Sequence, residues 1–255
     1  MDTEMIHIIL AAYNEEKDLP GLLAEIEGNN WEIPYRVIVV DDGSTDATPA
    51  ILRAAAGRMP LNVVTHERNA GLGRALATGF AAVCRDMKRN DVIVTMDADR
   101  THPVALIAAM AAKIAAGNDL VIASRFAPGG EQIGLALHRR FLSYCAGRIF
   151  GLFLPLSGVT DYTCGFRVYS DKVVNAMARA YGDRLIEEKG FAATAELLCK
   201  AGRFAGAIAE VPLALHYERK AGESKMKIMN TISGYLRLMY KIQRAAKVSS
   251  TTGVL

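Results

Sequence analysis

VIVTMDADRTHP, residues 92–103, opens as an apolar, β-branched run and closes on two aspartates, a histidine and a proline. The first half reads as a strand and the proline as the approach to a helix, so the two carboxylates sit where a strand ends. Working outward, similar short runs occur at Ile6–Ala11, Arg36–Val40, Asn62–His66 and Leu120–Ala123. Amphipathic segments begin between them, near Glu16, Asp46, Gly71 and Pro103. Strand and helix patterns in alternation require crossover connections. They predict an α/β fold with a mostly parallel sheet covered by helices on both faces. Ligands of such sheets bind outside the carboxyl ends of the strands. The polar segments that follow the strands therefore matter most: YNEE (13–16), DDGSTD (41–46), ERNAG (67–71) and DADRTH (97–102).

After Phe126 the alternation stops. A Gly/Pro loop, APGGEQIG, leads into a helical pattern from Leu135 to Leu154; TCGFRVYS (163–170) reads as a strand, and helices follow near Asp171–Ala180 and Phe191–Ala201. Ala207–Leu215 is strand-like, and Met226–Lys247 repeats apolar residues at helical spacing. The expected organisation is one domain over 1–225, with a regularly alternating half (1–125) and a less regular half (126–225). An amphipathic helix and tail occupy 226–255.

The 255 residues are 51% hydrophobic and 22% charged, the composition of a chain that buries a core rather than a disordered one. A formal net charge of +3 is too small to indicate a nucleic-acid protein. Cys84, Cys145, Cys164 and Cys199 form no CxxC pair and have no histidine at metal spacing, which argues against a disulfide framework and a zinc site. MDTEMIHIIL has neither the basic start nor the cleavage site of a signal peptide. No apolar stretch reaches the roughly 20 residues that span a bilayer. A cytoplasmic protein is expected.

Asp97 and Asp99, two apart on extended chain, point the same way. Like charges so close call for a cation between them, and a hard divalent ion such as Mg2+ or Mn2+, itself holding a diphosphate, meets that need. The alternative is that they cap the helix near Pro103. Asp41–Asp42 followed by Gly-Ser suits hydrogen bonding to a base or ribose, with Asp46 capping the next helix, but DDGS is also a good turn. Tyr13 and Glu15 offer an aromatic ring and a carboxylate to a nucleobase. GLGR (71–74) is neither a dinucleotide fingerprint nor a P-loop, although a helix N-terminus there favours an anion.

In order, AAYNEE, VVDDGSTDAT, NAGLGRAL, MDADRTHP, ASRF, RRFLS, DYTCGFRVY and HYERKAGESKM run from the N-terminus to about Met226. Together they resemble glycosyltransferase family 2, and within it the dolichyl- and polyprenyl-phosphate mannosyl- and glucosyltransferases. The resemblance implies a GT-A fold and a metal-dependent, inverting hexosyltransferase. Its donor would be GDP-mannose or UDP-glucose and its acceptor a polyprenyl phosphate. It implies nucleoside binding by Tyr13, Glu15 and Asp42, with Ala11 where the family often has Pro, and metal–diphosphate binding by Asp97 and Asp99. Thr101 stands where the family often has Gln or Ser. Arg125, Arg139, Ser143 and Arg219 look like the positions that hold acceptor phosphate or donor diphosphate, and Lys225 is a further candidate. Arg139 and Arg140 also read as a solvated helix face, and Arg219 and Lys225 as loop charges. Cys164 reads as core and His102 as a site or helix-start residue.

A phosphate acceptor is already ionised at neutral pH, so no general base is required. A hydroxyl acceptor, the alternative within the family, would need one. Asp161 is then the first candidate and Glu196 the second. A non-catalytic nucleotide-sugar-binding protein on the same fold is a further alternative. A lipid acceptor implies attachment at the membrane surface. Phe150, Leu152, Phe153 and Leu154 beside Arg139, Arg140 and Arg148 could supply it. So could Met229, Ile232, Leu236 and Met239 with Lys227, Arg237, Lys241 and Arg244. Packing on the core is the competing reading.

Overall fold

Four β-α steps build the N-terminal half: β1 (Ile6–Ala12), α1 (Leu19–Glu27), β2 (Tyr35–Asp41), α2 (Thr48–Ala56), β3 (Leu61–Thr65), α3 (Leu72–Cys84), β4 (Val92–Asp97) and α4 (Leu106–Ala115). A computed structural model describes residues 3–135, 137–222 and 228–252; the side chains of 137–139, 141, 142, 228 and 244–252 lie outside that description. The chain continues with β5 (Leu120–Ser124), β6 (Glu131–Ile133), α5 (Leu137–Phe153), β7 (Arg167–Ser170), α6 (Asp171–Tyr181) and α7 (Ala192–Ala201). It ends with β8 (Ile208–Pro212), β9 (Ala214–His216) and α8 (Ile228–Thr252). Seven strands form one sheet in the order β3-β2-β1-β4-β7-β5-β8. All neighbours are parallel except β7, which runs antiparallel between β4 and β5.

Burial on both faces explains the apolar runs. Ile6, Ile8 and Leu10 of β1, Val37 and Val39 of β2, and Val92 and Val94 of β4 face one layer, which α1, α2 and α4 complete. Ile9, Ile38 and Ile93 face the other, closed by α3, α6 and α7 and joined by Phe150 of α5 and Leu238 of α8. With both faces covered, the polar groups of β1, β2 and β4 emerge only at the strand ends.

The single strand expected over Ala207–Leu215 is two strands in two sheets. β8 extends the large sheet, whereas β9 pairs with β6 in a separate two-stranded ribbon. Leu213 is the crossing point: its N–H donates to the Ser124 carbonyl of β5, and its carbonyl accepts from the Glu131 N–H of β6. Pro212, on the edge strand, lacks an N–H only on the side away from β5, so the ladder to β5 runs on to Leu213 before the chain changes sheets.

Candidate active site

A cleft of about 1170 Å3 opens at the carboxyl ends of β1, β2 and β4. Its walls include Ala11, Tyr13, Glu15, Asp42, Asp97 and Asp99, so every residue expected at the nucleotide and the metal borders one space. A smaller chamber of about 180 Å3 adjoins it, lined by Arg125, Leu135, Ser143, Ala146, Thr163, Ile232 and Tyr235. The two share Asp97, Asp99, Gly165, Phe191, Tyr217 and Thr231. The carboxylate pair therefore stands at their junction.

The first two loops are stitched together. Asn14, in a left-handed conformation, accepts from the Thr45 N–H, while its own N–H donates to Ser44 Oγ. The Glu15 N–H donates to Thr48 Oγ1, the Glu16 N–H donates to Asp46 Oδ2, and Glu16 Oε2 accepts from the Ala47 N–H. Asp46 also accepts from the Thr48 N–H, although Ala47, and not Asp46, is the N-cap of α2. The two readings of DDGS divide between its aspartates. Asp41 makes the turn, accepting from the Ser44 N–H at 3.0 Å. Asp42 faces the cleft, 2.6 Å from His66 Nδ1, and accepts from the Ala70 and Gly71 N–H groups at 3.0 and 2.8 Å. The anion at the N-terminus of α3 is thus the protein's own Asp42. GLGR serves closeness: a Cβ at Gly73 would lie 1.8 Å from the Glu188 carbonyl oxygen, and the Gly73 N–H donates to the Lys189 carbonyl.

Asp97 and Asp99 do not cap α4, whose N-cap is Ala105. Arg100 adopts a left-handed φ of 61°, and the chain turns back so that Asp99 Oδ1 accepts from both the N–H and the hydroxyl of Thr101, at 3.2 and 2.7 Å. Asp99 Oδ2 accepts from Lys220 Nζ at 2.7 Å. The Asp97 N–H donates to His102 Nδ1, which leaves the imidazole proton on Nε2, 3.9 Å from the Asp97 carboxylate. The Asp97 side chain is 41% exposed. Its partial loss of water, together with the Asp99 charge, pushes its carboxyl above the ordinary value although His102 opposes them. Burial pushes Asp99 the same way, but Lys220 and His102 carry it below the usual range. Among the described residues no cluster of three or more His, Cys, Asp or Glu could hold a metal. Two carboxylates fit a hard divalent cation that takes its remaining ligands from diphosphate and water. The Thr101 hydroxyl is committed to Asp99.

Arg125 lines the smaller chamber and grips Asp161 in a bidentate pair, Nε to Oδ2 and Nη2 to Oδ1, both 2.7 Å. Asp161 also accepts from the N–H groups of Arg125, Thr163 and Cys164 and is fully buried, bordering neither space. Burial raises its proton affinity, but Arg125 outweighs that and holds the carboxyl below the usual range. Such a group is a poor base, and the geometry corrects that expectation: Asp161 orients Arg125. Glu196 is likewise buried, accepting from the Glu187 and Glu188 N–H groups and from Lys200, away from both spaces. Ser143 Oγ lies 3.4 Å from Thr163 Oγ1, which in turn accepts from Arg125. The Arg139 side chain and all of Lys225 lie outside the described residues. Arg219 turns away from the cleft and pairs with Glu25, which also holds Arg100. Its neighbour Lys220 enters instead, a residue the motif reading missed. Burial pushes the Cys164 thiol up to about 12, as suits a core cysteine.

The model of the family described as "Glycosyl transferase family 2" matches residues 7–177. The chain belongs to this family. It is 30% identical over 94% of its length to a dolichol-phosphate mannosyltransferase of Pyrococcus furiosus, spanning 64% of that protein. It is 31% identical to a polyprenol monophosphomannose synthase of Mycolicibacterium smegmatis, with 89% of this chain and 83% of the relative covered. An undecaprenyl-phosphate mannosyltransferase of Micrococcus luteus is 33% identical, with 86% of each covered. In fold the glycosyltransferase matches glucosyl-3-phosphoglycerate synthase of Mycobacterium tuberculosis, crystallised with Mn2+, UDP and glucosyl-3-phosphoglycerate. The TM-score is 0.62 at 20% identity, over 99% of this chain and 81% of that one. The architecture is GT-A.

Proposed function

We propose that this family 2 glycosyltransferase transfers a hexose, mannose or glucose, from a nucleotide sugar to a polyprenyl phosphate, with inversion. The observation that carries the reading is the meeting of two unlike spaces at Asp97 and Asp99. One is a cleft of about 1170 Å3, large enough for a nucleotide sugar, and the other a chamber of about 180 Å3 with an arginine and a serine in its wall beside Leu135, Ala146 and Ile232. A phosphate bound by Arg125 and Ser143, its prenyl chain following Leu135, Ala146 and Ile232, would face a sugar whose diphosphate lies at the carboxylate pair.

In the transfer, an acceptor phosphate oxygen forms the new bond to the anomeric carbon as the bond to the donor diphosphate breaks. The nucleoside diphosphate leaves with the electron pair. Tyr13, Glu15 and Asp42 would hold the nucleoside, and Asp97 and Asp99 would hold Mg2+ or Mn2+. A bound cation supplies positive charge at the departing diphosphate. Arg125, kept charged and oriented by Asp161, offsets repulsion between the two phosphate groups. Beyond Asp97 and Asp99, no carboxylate lines the smaller chamber among the described residues, and His102 presents N–H rather than a lone pair. That supports an acceptor needing no base over a hydroxyl acceptor.

The acceptor also implies attachment at the cytoplasmic membrane face. α5 and α8, in contact through Phe150 and Tyr235, leave Tyr144, Ile149, Leu152 and Phe153, and Met229, Ile232, Leu236 and Tyr240, exposed. Phe150 itself is buried and Leu154 and Met239 pack on the core, so those three expected contacts are structural. Among the described residues no helix is long and apolar enough to cross a membrane.

The test is incubation with undecaprenyl phosphate and a panel of GDP- and UDP-sugars, followed by assay for the glycosylated lipid. Product from polyprenyl phosphate, lost with Asp99→Ala by orders of magnitude, is expected. Transfer only to saccharide hydroxyls, or nucleotide binding without any transfer, would overturn the reading.

A further inference from the structure

Both carboxylate oxygens of Asp99 are already engaged. Thr101 occupies Oδ1 twice and Lys220 occupies Oδ2. The Lys220 and Asp99 side chains are only 11% and 12% exposed, so this pair is shielded from solvent to a degree that ordinary surface pairs are not. A divalent ion bound at Asp99 Oδ2 would stand beside the ammonium and be repelled by it, so the two cations compete for that carboxylate.

The segment that carries Lys220 is tied down on both sides of it. Arg219 pairs with Glu25, and the Ala221 and Gly222 N–H groups donate to the buried Asp18 at 2.7 and 2.9 Å. Its backbone is held, but a lysine stem has four rotatable carbons and its ammonium is a point charge without the fixed fork of an arginine. Lys220 also lines the donor cleft, so a displaced ammonium stays within reach of whatever anion fills that space.

We propose that Lys220 is the internal counter-cation of Asp99 and makes divalent-cation binding depend on the nucleotide. The inference rests on the reading of Asp97 and Asp99 as the metal pair. Without nucleotide, the bare ion competes with an ammonium whose nearby anion outside the metal pair is the single carboxylate of Glu15 in the same cleft. With a nucleoside diphosphate present, the evicted ammonium moves onto phosphate oxygen, and ion and nucleotide bind together. Lys220 thereby couples the two ligands, and the coupling is reciprocal.

The experiment measures Mn2+ affinity by electron paramagnetic resonance, without nucleotide and with saturating GDP or UDP, in the wild type and in Lys220→Met. The wild type should show a large nucleotide-dependent gain. In Lys220→Met that gain should shrink at least about fivefold, chiefly because Mn2+ binds the nucleotide-free variant more tightly. Lys220→Gln serves as the second variant should Lys220→Met fail to fold by thermal melting, and Asp99→Asn marks loss of the metal site. An unchanged gain in a folded variant overturns the role of Lys220 and leaves the metal reading standing. Absence of Mn2+ binding in the wild type under every condition overturns both.

Discussion

At the residue scale, buried ion pairs separate what reacts from what supports. Asp161 is fully buried and meets Arg125 through two 2.7 Å bonds. Removing one member strands the other without compensation, which costs about 3–5 kcal/mol. Asp161→Asn should therefore lower stability by that order in urea melts at neutral pH, and it should also lower transfer because Arg125 loses its orientation. The pH dependence has a definite sign. A carboxyl held below its unfolded value of about 3.9 stabilises the fold above that pH and stops doing so as pH falls through the folded value. The gap between wild type and variant should thus hold from neutral pH to about pH 4 and close only below it. A gap that closes near neutral pH would contradict the pairing. Asp99→Ala should lose turnover outright and also some stability, less than Asp161→Asn because the flexible Lys220 stem it strands lines the cleft and can turn into it.

At the element scale, the start of α3 is the tightest joint in the molecule. Backbone of residues 188 and 189 crosses directly over Gly71 and Gly73, and Gly71 sits at φ 93°. The obstacle to a Cβ at Gly73 is a carbonyl oxygen of backbone, which cannot swing aside as a flexible side chain would. Gly73→Ala should cost about 1–3 kcal/mol by overpacking. It should also weaken nucleotide binding in calorimetry, because the cleft wall formed by Glu187, Glu188 and Lys189 would shift. Stability and nucleotide affinity both unchanged would mean that this joint does not set the cleft. The division of Ala207–Leu215 into β8 and β9 belongs to the same scale. A continuous β-prone run records that the residues are extended, but which sheet each half joins depends on the edges waiting at Ser124 and Glu131.

At the scale of the whole molecule, α5 and α8 expose apolar side chains that the core does not take up. Leu152 on α5 is 81% exposed and Leu236 on α8 is 60% exposed, and the exposed Arg140 and Arg148 lie along α5. Sedimentation with anionic vesicles should carry the protein down, less so as salt rises, since each basic residue near the surface contributes about 1 kcal/mol. Leu152→Asp with Leu236→Asp should reduce binding at least about tenfold, as each buried leucine is worth roughly 1.5–3 kcal/mol. Both positions face solvent, so the melting temperature should stay put. Vesicle binding unaffected by both salt and these changes would remove the two helices from the membrane interface.

The parallel sheet was legible in residues 6–124 because burial on both faces leaves a strand no freedom but to be apolar, and because its helices repeat at their own period. The positions of Tyr13, Asp42, Asp97 and Asp99 were legible for the same reason: polar residues can stand only where such strands end. Pairing of the charged side chains was not. Lys220 reaches Asp99 across 121 residues of sequence and Arg219 reaches Glu25 across 194, so two adjacent cations in one motif part company. Nothing local distinguishes them. Apolar periodicity and backbone bonding act over a few residues and write themselves into the sequence, whereas the partner of a long charged side chain is whichever opposite charge the finished fold brings within about 4 Å. That selection made Asp161 an anchor rather than a base, and it brought Lys220 into the site.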